Sequence, residues 1–228
     1  MNRAKASPER RAGAPEVKGL YAITPDEHDT EVLLRKVRKA LAGGARLVQY
    51  RNKTARADLR REQAAALLAL CRAECVPLIV NDDVDLALEV GADGAHLGRD
   101  DLPTASARKR LSGMKLLGVS CYDRFELAVG ARDAGADYVA FGSAFPSATK
   151  PGAPRASVSL YRDAKARLGL PIVAIGGITS ENAGALIAAG ADAVAVISDL
   201  FDAPDVEARA RQFADLFDAL GLEERPAV

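Results

Sequence analysis

A basic, hydroxyl-rich segment follows one of the apolar runs of this chain. Residues 138–145 have the composition of a buried strand, and Pro146 ends the run. Ser147, Thr149 and Lys150 then bring two hydroxyls and one ammonium group within four residues. Such groups donate hydrogen bonds and supply positive charge, so the segment could bind an anion. An ordinary polar loop between a strand and a helix would have the same composition.

A second group of polar residues surrounds the end of another apolar run. Gln49, Arg51 and Lys53 are two residues apart, so in an extended chain their side chains point the same way. A glutamine within an apolar strand needs a buried hydrogen-bond partner. A solvated charge at a rim would explain Lys53 but not Gln49. These residues are therefore candidates for a second anion site.

Aspartates follow two further apolar runs, at Asp82-Asp83 and at Asp100-Asp101. Carboxylates on neighbouring strand ends can share Mg²⁺, which prefers one or two carboxylates together with substrate phosphate oxygens. Helix capping would explain either aspartate alone. It explains less well why Arg51, Lys53 and Lys150 follow strands of the same set. The combination favours departure of a diphosphate assisted by Mg²⁺.

The segments that must position these residues alternate between short apolar runs and amphipathic stretches. Helices are expected between the runs, including one with a cap at Thr30, a long one over 57–75 and a last one at about 205–220. Eight strand–helix units in strict alternation predict a parallel sheet. The predicted strands lie at 19–25, 45–51, 78–81, 94–98, 115–121, 138–145, 171–177 and 193–199.

An internal repeat favours a closed barrel over an open sheet. A Gly-Ala pair precedes every second predicted strand, where a glycine suits the left-handed end of a helix. Recurrence in alternate units fits an α/β fold of the (βα)8 TIM-barrel class with a single domain. The competing doubly wound sheet lacks the expected glycine motif after its first strand. The repeat occurs at Gly44-Ala45-Arg46, Gly91-Ala92-Asp93, Gly135-Ala136-Asp137 and Gly190-Ala191-Asp192.

In such a barrel the candidate residues would meet, because active sites lie at the carboxyl ends of the strands. Gly176-Gly177 and Ser198 follow the seventh and eighth strands, the usual phosphate site, although a tight turn also explains the glycines. Ser120 either donates to a substrate or caps a helix. His96 lies within a strand and is expected to be a hydrogen-bonded core residue. No histidine or cysteine is a convincing nucleophile, which argues against covalent catalysis.

Composition limits the partners and the compartment. The chain has 31 basic and 31 acidic side chains, so nothing in its net charge favours nucleic acid or an anionic membrane. No apolar run approaches the roughly 18–20 residues of a membrane span, and a signal peptide is not apparent. Three cysteines without paired spacing fit a reducing cytoplasm. We expect flexible tails at 1–17 and 222–228 around a barrel at 18–221. The expected partners are small-molecule substrates, and the sequence leaves open whether the chain forms a homo-oligomer.

The motifs at the strand ends resemble those of the thiamine-phosphate synthase family, in the family's order and over about residues 19–220. One such motif is weak, but seven in order are specific. They are Gln49-Tyr50-Arg51-Asn52-Lys53, Asn81-Asp82, His96-Leu97-Gly98 through Asp101, Gly118-Val119-Ser120, the segment 141–150, Ile175-Gly176-Gly177-Ile178 and Val196-Ile197-Ser198.

The resemblance implies a transferase that joins hydroxymethylpyrimidine diphosphate to a thiazole phosphate, forming thiamine phosphate and diphosphate. In the family, the pyrimidine C–O bond breaks before the thiazole nitrogen attacks, through a pyrimidine carbocation. Asp82 and Asp101 would bind Mg²⁺. The pyrimidine diphosphate would be held by Gln49, Arg51, Lys53, Asn81, Ser120 and Lys150, of which Arg51, Lys53, Ser120 and Lys150 would also be catalytic. The thiazole phosphate would be held by Ser147, Thr149, Gly177, Ile197 and Ser198.

The chain departs from the family pattern at a few positions. Arg99 stands where the family usually has Gln, Ser143 where it has Pro and Ser147 where it has Thr. Asp100 could compete with Asp101 as a ligand, although family spacing favours Asp101. Two alternatives are a thiazole phosphate tautomerase-like barrel, which would have a histidine at Tyr122, and a non-catalytic paralogue that binds thiazole or thiamine phosphate.

Overall fold

A computed structural model describes residues 15–111, 115–146 and 155–220. Eight parallel strands pair in chain order, and the last strand pairs with the first to close a barrel. The predicted (βα)8 barrel is therefore confirmed. The strands are β1 (Gly19–Ile23), β2 (Ala45–Tyr50), β3 (Leu78–Asn81), β4 (Gly94–Leu97), β5 (Leu116–Tyr122), β6 (Tyr138–Phe141), β7 (Ile172–Ile175) and β8 (Ala193–Val196).

Helices alternate with the strands and surround the barrel. In the described ranges, none of these helices is long and apolar enough to cross a membrane. They are α1 (Thr30–Ala42), α2 (Ala57–Ala73), α3 (Val84–Val90), α4 (Thr104–Leu111), α5 (Phe125–Asp133), α6 (Val158–Arg167), α7 (Ala183–Ala188), α8 (Ser198–Phe201) and α9 (Val206–Ala219).

The strands divide the apolar core into two layers because successive strand residues face opposite sides. In β1, Leu20 and Ala22 pack outward in the layer beneath the helices, whereas Tyr21 and Ile23 belong to the inner cluster. Val17, just before β1, is also buried in the inner cluster. The inner layer carries polar side chains as well as apolar ones, and this becomes important at the site.

The repeated Gly-Ala-Asp segments form hydrogen bonds at the amino-terminal end of the barrel. Their glycines have φ between 78° and 104°, the left-handed conformation that was predicted. Three of the four repeats end in aspartate, and each of these carboxylates accepts a backbone N–H from the start of β3, β5 or β7. The bonds run from Leu78 N to Asp93 (2.8 Å), from Leu117 N to Asp137 (2.8 Å) and from Ile172 N to Asp192 (2.9 Å). The repeat therefore stabilises the end of the barrel opposite the candidate site.

Several predicted boundaries were wrong by a few residues. The side chain that caps α1 is that of Asp29, which accepts backbone N–H groups, and Thr30 is the first helical residue. The second helix ends at Ala73, not at 75, and Cys75 has a left-handed φ of 54°. Strand β6 ends at Phe141 rather than 145, because the following chain leaves the sheet as a loop.

Candidate active site

A cavity of about 860 Å³ opens at the carboxyl ends of the strands. It brings together every predicted site residue that the structure describes. Ser147, Thr149 and Lys150 lie outside the described residues. The predicted residues that line the cavity are Gln49, Arg51, Lys53, Asn81, Asp82, Asp101, Ser120, Gly177, Ile197 and Ser198.

Two residues that follow β1 position the cations that follow β2. The Thr24 hydroxyl accepts the Arg51 N–H at 2.8 Å and lies 2.9 Å from the Arg51 carbonyl, to which it donates. The Asp26 carboxylate accepts from the Arg51 guanidinium at 3.2 Å and from the Lys53 backbone N–H at 2.8 Å. Sequence reasoning missed Thr24 and Asp26, although their place after an apolar strand was an available signal.

Adjacent aspartates after β3 have different tasks. The Asp83 carboxylate caps α3 by accepting the Leu86 N–H at 2.9 Å, and it pairs with Arg60 at 2.8 Å. Asp82 has a φ of 63° and lines the cavity. Its backbone N–H still donates to the His96 carbonyl at 2.8 Å, which joins it to the β4 strand. Capping therefore accounts for Asp83 but not for Asp82.

The carboxylates of Asp82 and Asp101 are side by side. Burial raises the pKa of Asp101, and the neighbouring Asp82 raises it further, against the lowering effect of the Gly98 N–H. That N–H lies 2.6 Å from Asp101 Oδ2 and holds the carboxylate in place. The only cation paired with Asp82 among the described residues is Lys53, whose Nζ is 3.4 Å from Asp82 Oδ2. Two adjacent carboxylates with this little compensation are suited to a further cation.

The donor set fits Mg²⁺ better than a metal with an all-protein cage. Over 15–111, 115–146 and 155–220, no cluster of three or more His, Cys, Asp or Glu side chains could hold a metal ion. Mg²⁺ commonly takes two carboxylates and completes its shell with water and substrate phosphate oxygens. The exposed Asp100 also lines the cavity, but it is Asp101 that is half-buried beside Asp82.

The opposite side of the cavity has an exposed backbone surface after β7 and β8. Gly176 and Gly177 have φ of 95° and 64°, and a Cβ at Gly177 would lie 2.4 Å from the Pro146 carbonyl oxygen. The chain at 145–146 packs against Gly177 and leaves room only for glycine, and both glycines line the cavity with Ile197 and Ser198. This surface suits a phosphate group, which backbone N–H groups and hydroxyls can bind.

Arg209 of α9 adds a cation to the same side. It lines the cavity, and its guanidinium pairs with Asp199 at 2.5 Å. The other carboxylate oxygen of Asp199 accepts the Ser180 N–H at 3.1 Å. Sequence reasoning missed Arg209, and no local signal marked it, because a helix far along the chain supplies it.

A chain of buried hydrogen bonds connects Gln49 with Ser120 beneath the cavity. Gln49 Nε2 donates to the Tyr21 hydroxyl at 2.9 Å, which confirms that this glutamine has a buried partner. The Tyr21 and Tyr138 hydroxyls are 2.8 Å apart, and Tyr138 is 3.1 Å from His96 Nδ1. His96 Nε2 is 2.9 Å from Ser120 Oγ. His96 is thus the hydrogen-bonded core residue that was predicted, and burial lowers its pKa to about 4.

Arg99 covers Tyr122 at the rim of the cavity. The guanidinium carbon lies 4.6 Å from the centre of the Tyr122 ring, and the Arg99 backbone N–H donates to the tyrosine hydroxyl at 3.2 Å. Such a cation–π contact orders an otherwise exposed arginine. The position at which the tautomerase alternative would have a histidine is therefore occupied by a ring that Arg99 covers.

Comparison with known proteins identifies the family. The family model described as thiamine monophosphate synthase matches residues 20–200. The chain belongs to the thiamine-phosphate synthase family. The resemblance seen in the strand-end motifs is thereby confirmed.

Relatives of this synthase family match over nearly the whole chain. The thiamine-phosphate synthase of Methylobacillus flagellatus is 58% identical over 208 residues, which cover 91% of this chain and 99% of the relative. That of Nitrosospira multiformis is 54% identical over 217 residues, or 95% of this chain and 91% of the relative. A solved thiamine phosphate pyrophosphorylase from Pyrococcus furiosus superposes with a TM-score of 0.79 at 34% identity, covering 89% of this chain and 96% of that one.

Proposed function

We propose that this chain is a thiamine-phosphate synthase. It transfers the hydroxymethylpyrimidine group from its diphosphate to a thiazole phosphate, so that thiamine phosphate forms and diphosphate is released. The observation that carries the proposal is a single cavity with cations and paired carboxylates on one side and a glycine surface on the other. A volume of about 860 Å³ lies in the range of small-molecule sites.

The diphosphate binds on the side formed by β2 to β5. Arg51 presents a planar guanidinium suited to two phosphate oxygens, and Lys53 presents a mobile ammonium group. Gln49, Asn81 and Ser120 supply neutral polar groups to the same cavity. Lys150, which lies outside the described residues, is assigned to the same substrate from the family motif.

Asp82 and Asp101 hold Mg²⁺ in this proposal. Mg²⁺ held there would supply positive charge that offsets the negative charge of the leaving diphosphate. Lys53, whose Nζ is 3.4 Å from Asp82 Oδ2, would be free to contact phosphate oxygens if the carboxylates held the ion. The adjacency of the two carboxylates supports this assignment.

The thiazole phosphate binds at the glycine surface. Gly177, Ile197 and Ser198 contact its phosphate, and Ser147 and Thr149 are assigned to it from the family motif. Arg209 lies on the same side of the cavity, where its pairing with Asp199 leaves a nearly neutral unit. The phosphate is therefore bound mainly by hydrogen bonds, whereas the diphosphate is bound mainly by charge.

The reaction proceeds without a covalent enzyme intermediate. The pyrimidine C–O bond breaks, diphosphate departs with the bonding electrons, and the thiazole nitrogen attacks the resulting carbocation. Arg51 and Lys53 stabilise the charge that develops on the diphosphate. Cys121 directly follows the site residue Ser120, but it does not line the cavity, and burial raises the pKa of its thiol to about 12. It is therefore not a suitable nucleophile.

The test is to mix the purified protein with both substrates, with and without Mg²⁺, and to follow thiamine phosphate by mass. We expect product that depends on Mg²⁺. Binding of thiazole phosphate without product, by a protein shown to be folded, would favour the non-catalytic paralogue. Isomerisation of the thiazole phosphate alone would favour the tautomerase.

A further inference from the structure

We propose that Tyr21, Tyr138 and His96 form a directional hydrogen-bond chain that fixes the Ser120 hydroxyl as a donor into the cavity. The chain begins at the amide of Gln49 and passes through the barrel interior. The three middle residues are then positioning residues for Ser120. This role rests on the proposed function, because the acceptor of the Ser120 hydrogen bond is taken to be an atom of the pyrimidine diphosphate.

The four hydrogen bonds join side chains from five different strands. They run from Gln49 Nε2 to Tyr21 (2.9 Å), between the Tyr21 and Tyr138 hydroxyls (2.8 Å), from Tyr138 to His96 Nδ1 (3.1 Å) and from His96 Nε2 to Ser120 Oγ (2.9 Å). Tyr21 and Tyr138 are 1% and 0% exposed, Gln49 is 3% and His96 6% exposed. Buried polar groups of this kind need partners, and each hydroxyl and ring nitrogen in the chain has one.

The amide group sets the direction of the chain. Since the Gln49 amide donates to the Tyr21 hydroxyl, the acceptor for the Tyr21 proton among the hydrogen bonds of this chain is the Tyr138 oxygen, and the acceptor for the Tyr138 proton is then His96 Nδ1. A neutral imidazole has one N–H, so His96 must carry it on Nε2 and donate it to Ser120 Oγ. The Ser120 proton has no role within the chain and is directed to the cavity that Ser120 lines.

The consequence for the reaction is orientation without proton transfer. A serine hydroxyl that could rotate would donate either to the histidine or to the substrate. When His96 already donates to it, the hydroxyl can only donate onward, to an acceptor atom of the bound diphosphate substrate. A donor fixed in advance costs no reorganisation when negative charge develops in the transition state.

The direction can be measured without turnover. Nitrogen NMR of protein labelled with ¹⁵N-histidine reports which ring nitrogen carries the proton, and the chain has only two histidines. A His28→Gln variant assigns the signals of His96. We expect His96 with its proton on Nε2 and none on Nδ1. A proton on Nδ1 would reverse the chain, make Ser120 the donor to His96 and overturn the proposal, whether or not the protein is a synthase.

Kinetics tests the effect on Ser120. Tyr138→Phe keeps the ring and removes the donor to His96, and we expect kcat to fall about 10- to 100-fold with the KM for thiazole phosphate unchanged. Tyr161→Phe is the matched control, because its buried hydroxyl donates to the Phe141 carbonyl at 2.9 Å outside this chain. That variant keeps the wild-type kcat. An equal fall in both variants would indicate a loss of packing only and would refute the positioning role.

A double substitution shows whether the effect passes through Ser120. In a Ser120→Ala background, Tyr138→Phe should cause no further loss, because the hydroxyl that it positions is already absent. The same fold-loss in both backgrounds would contradict the proposal. If Tyr138→Phe does not fold, Tyr21→Phe breaks the preceding bond and is tested in the same two backgrounds. If the wild type makes no thiamine phosphate, the proposed function fails, while the NMR result still decides the direction of the chain.

Discussion

Lys53→Ala should separate the binding of the two substrates while leaving the fold intact. Lys53 Nζ is 3.4 Å from Asp82 Oδ2, and the two side chains are 52% and 36% exposed. An ion pair this exposed contributes at most about 1 kcal/mol to the free energy of unfolding. The Lys53 backbone N–H donates to Asp26 at 2.8 Å, and alanine retains that bond. The loop therefore keeps its conformation when the ammonium group is removed.

The expected loss of activity follows from the contact that the ammonium group makes in the complex. A hydrogen bond from a charged donor contributes about 1.5–3 kcal/mol, which corresponds to about 10- to 150-fold in kcat/KM. Lys53 faces the diphosphate side, so this loss should appear when the diphosphate substrate is varied. The KM for thiazole phosphate should remain that of the wild type.

The assay varies each substrate at saturating concentrations of the other and follows thiamine phosphate by mass. Arg56→Ala is the matched control, since this cation lies on the same loop, is 90% exposed and pairs only loosely with Asp58, at 3.8 Å. It should retain the wild-type kinetics. Raising the ionic strength should weaken any long-range effect of either charge but should change a direct contact much less.

Two results would refute the reasoning. A larger effect of Lys53→Ala on the KM for thiazole phosphate than on that for the diphosphate would mean that the two anion sites are exchanged. Equal losses in Lys53→Ala and Arg56→Ala would mean that general attraction of anions, and not a contact in the cavity, explains the effect.

Three further predictions concern stability and the metal pair. Asp137→Ala should lower the free energy of unfolding in urea by about 3 kcal/mol, because it breaks a largely buried ion pair with Arg108 at 2.7 Å. Asp133→Ala breaks a more exposed pair with Arg132 and should lower it by less than about 1 kcal/mol, so equal effects of the two substitutions would contradict this prediction. Folding lowers the pKa of His96 from 6.5 to about 4, so the unfolded chain binds the proton at a higher pH than the folded chain does. The free energy of unfolding should therefore fall by about 3 kcal/mol between pH 7 and pH 4, and His96→Asn should remove this pH dependence when unfolding by urea is measured across that range. Asp101→Asn should abolish Mg²⁺-dependent product formation, whereas Asp100→Asn should keep activity. Asp101→Asn should also stabilise the metal-free protein at neutral pH, because the raised pKa of Asp101 means that its ionised form destabilises the folded state.

The sequence by itself determined the barrel and the composition of its rim. Alternating apolar runs specify strands whose faces must both be buried, and the Gly-Ala repeat marks turns that only glycine adopts readily. Because parallel strands place their carboxyl ends at one edge, residues such as Gln49, Asp82 and Ser198 could be assigned to one site before any contact was known. The family motifs added which substrates those groups would meet.

Only the tertiary structure decided how neighbouring residues divide their roles. Asp82 and Asp83 are alike in sequence, but one caps α3 and the other faces the cavity, because their backbone conformations differ. The bonds from Gln49 through Tyr138 to Ser120 join strands far apart in the chain, and no local pattern encodes such pairings. Burial is a property of the whole fold, so the altered pKa of His96 also came from tertiary structure alone.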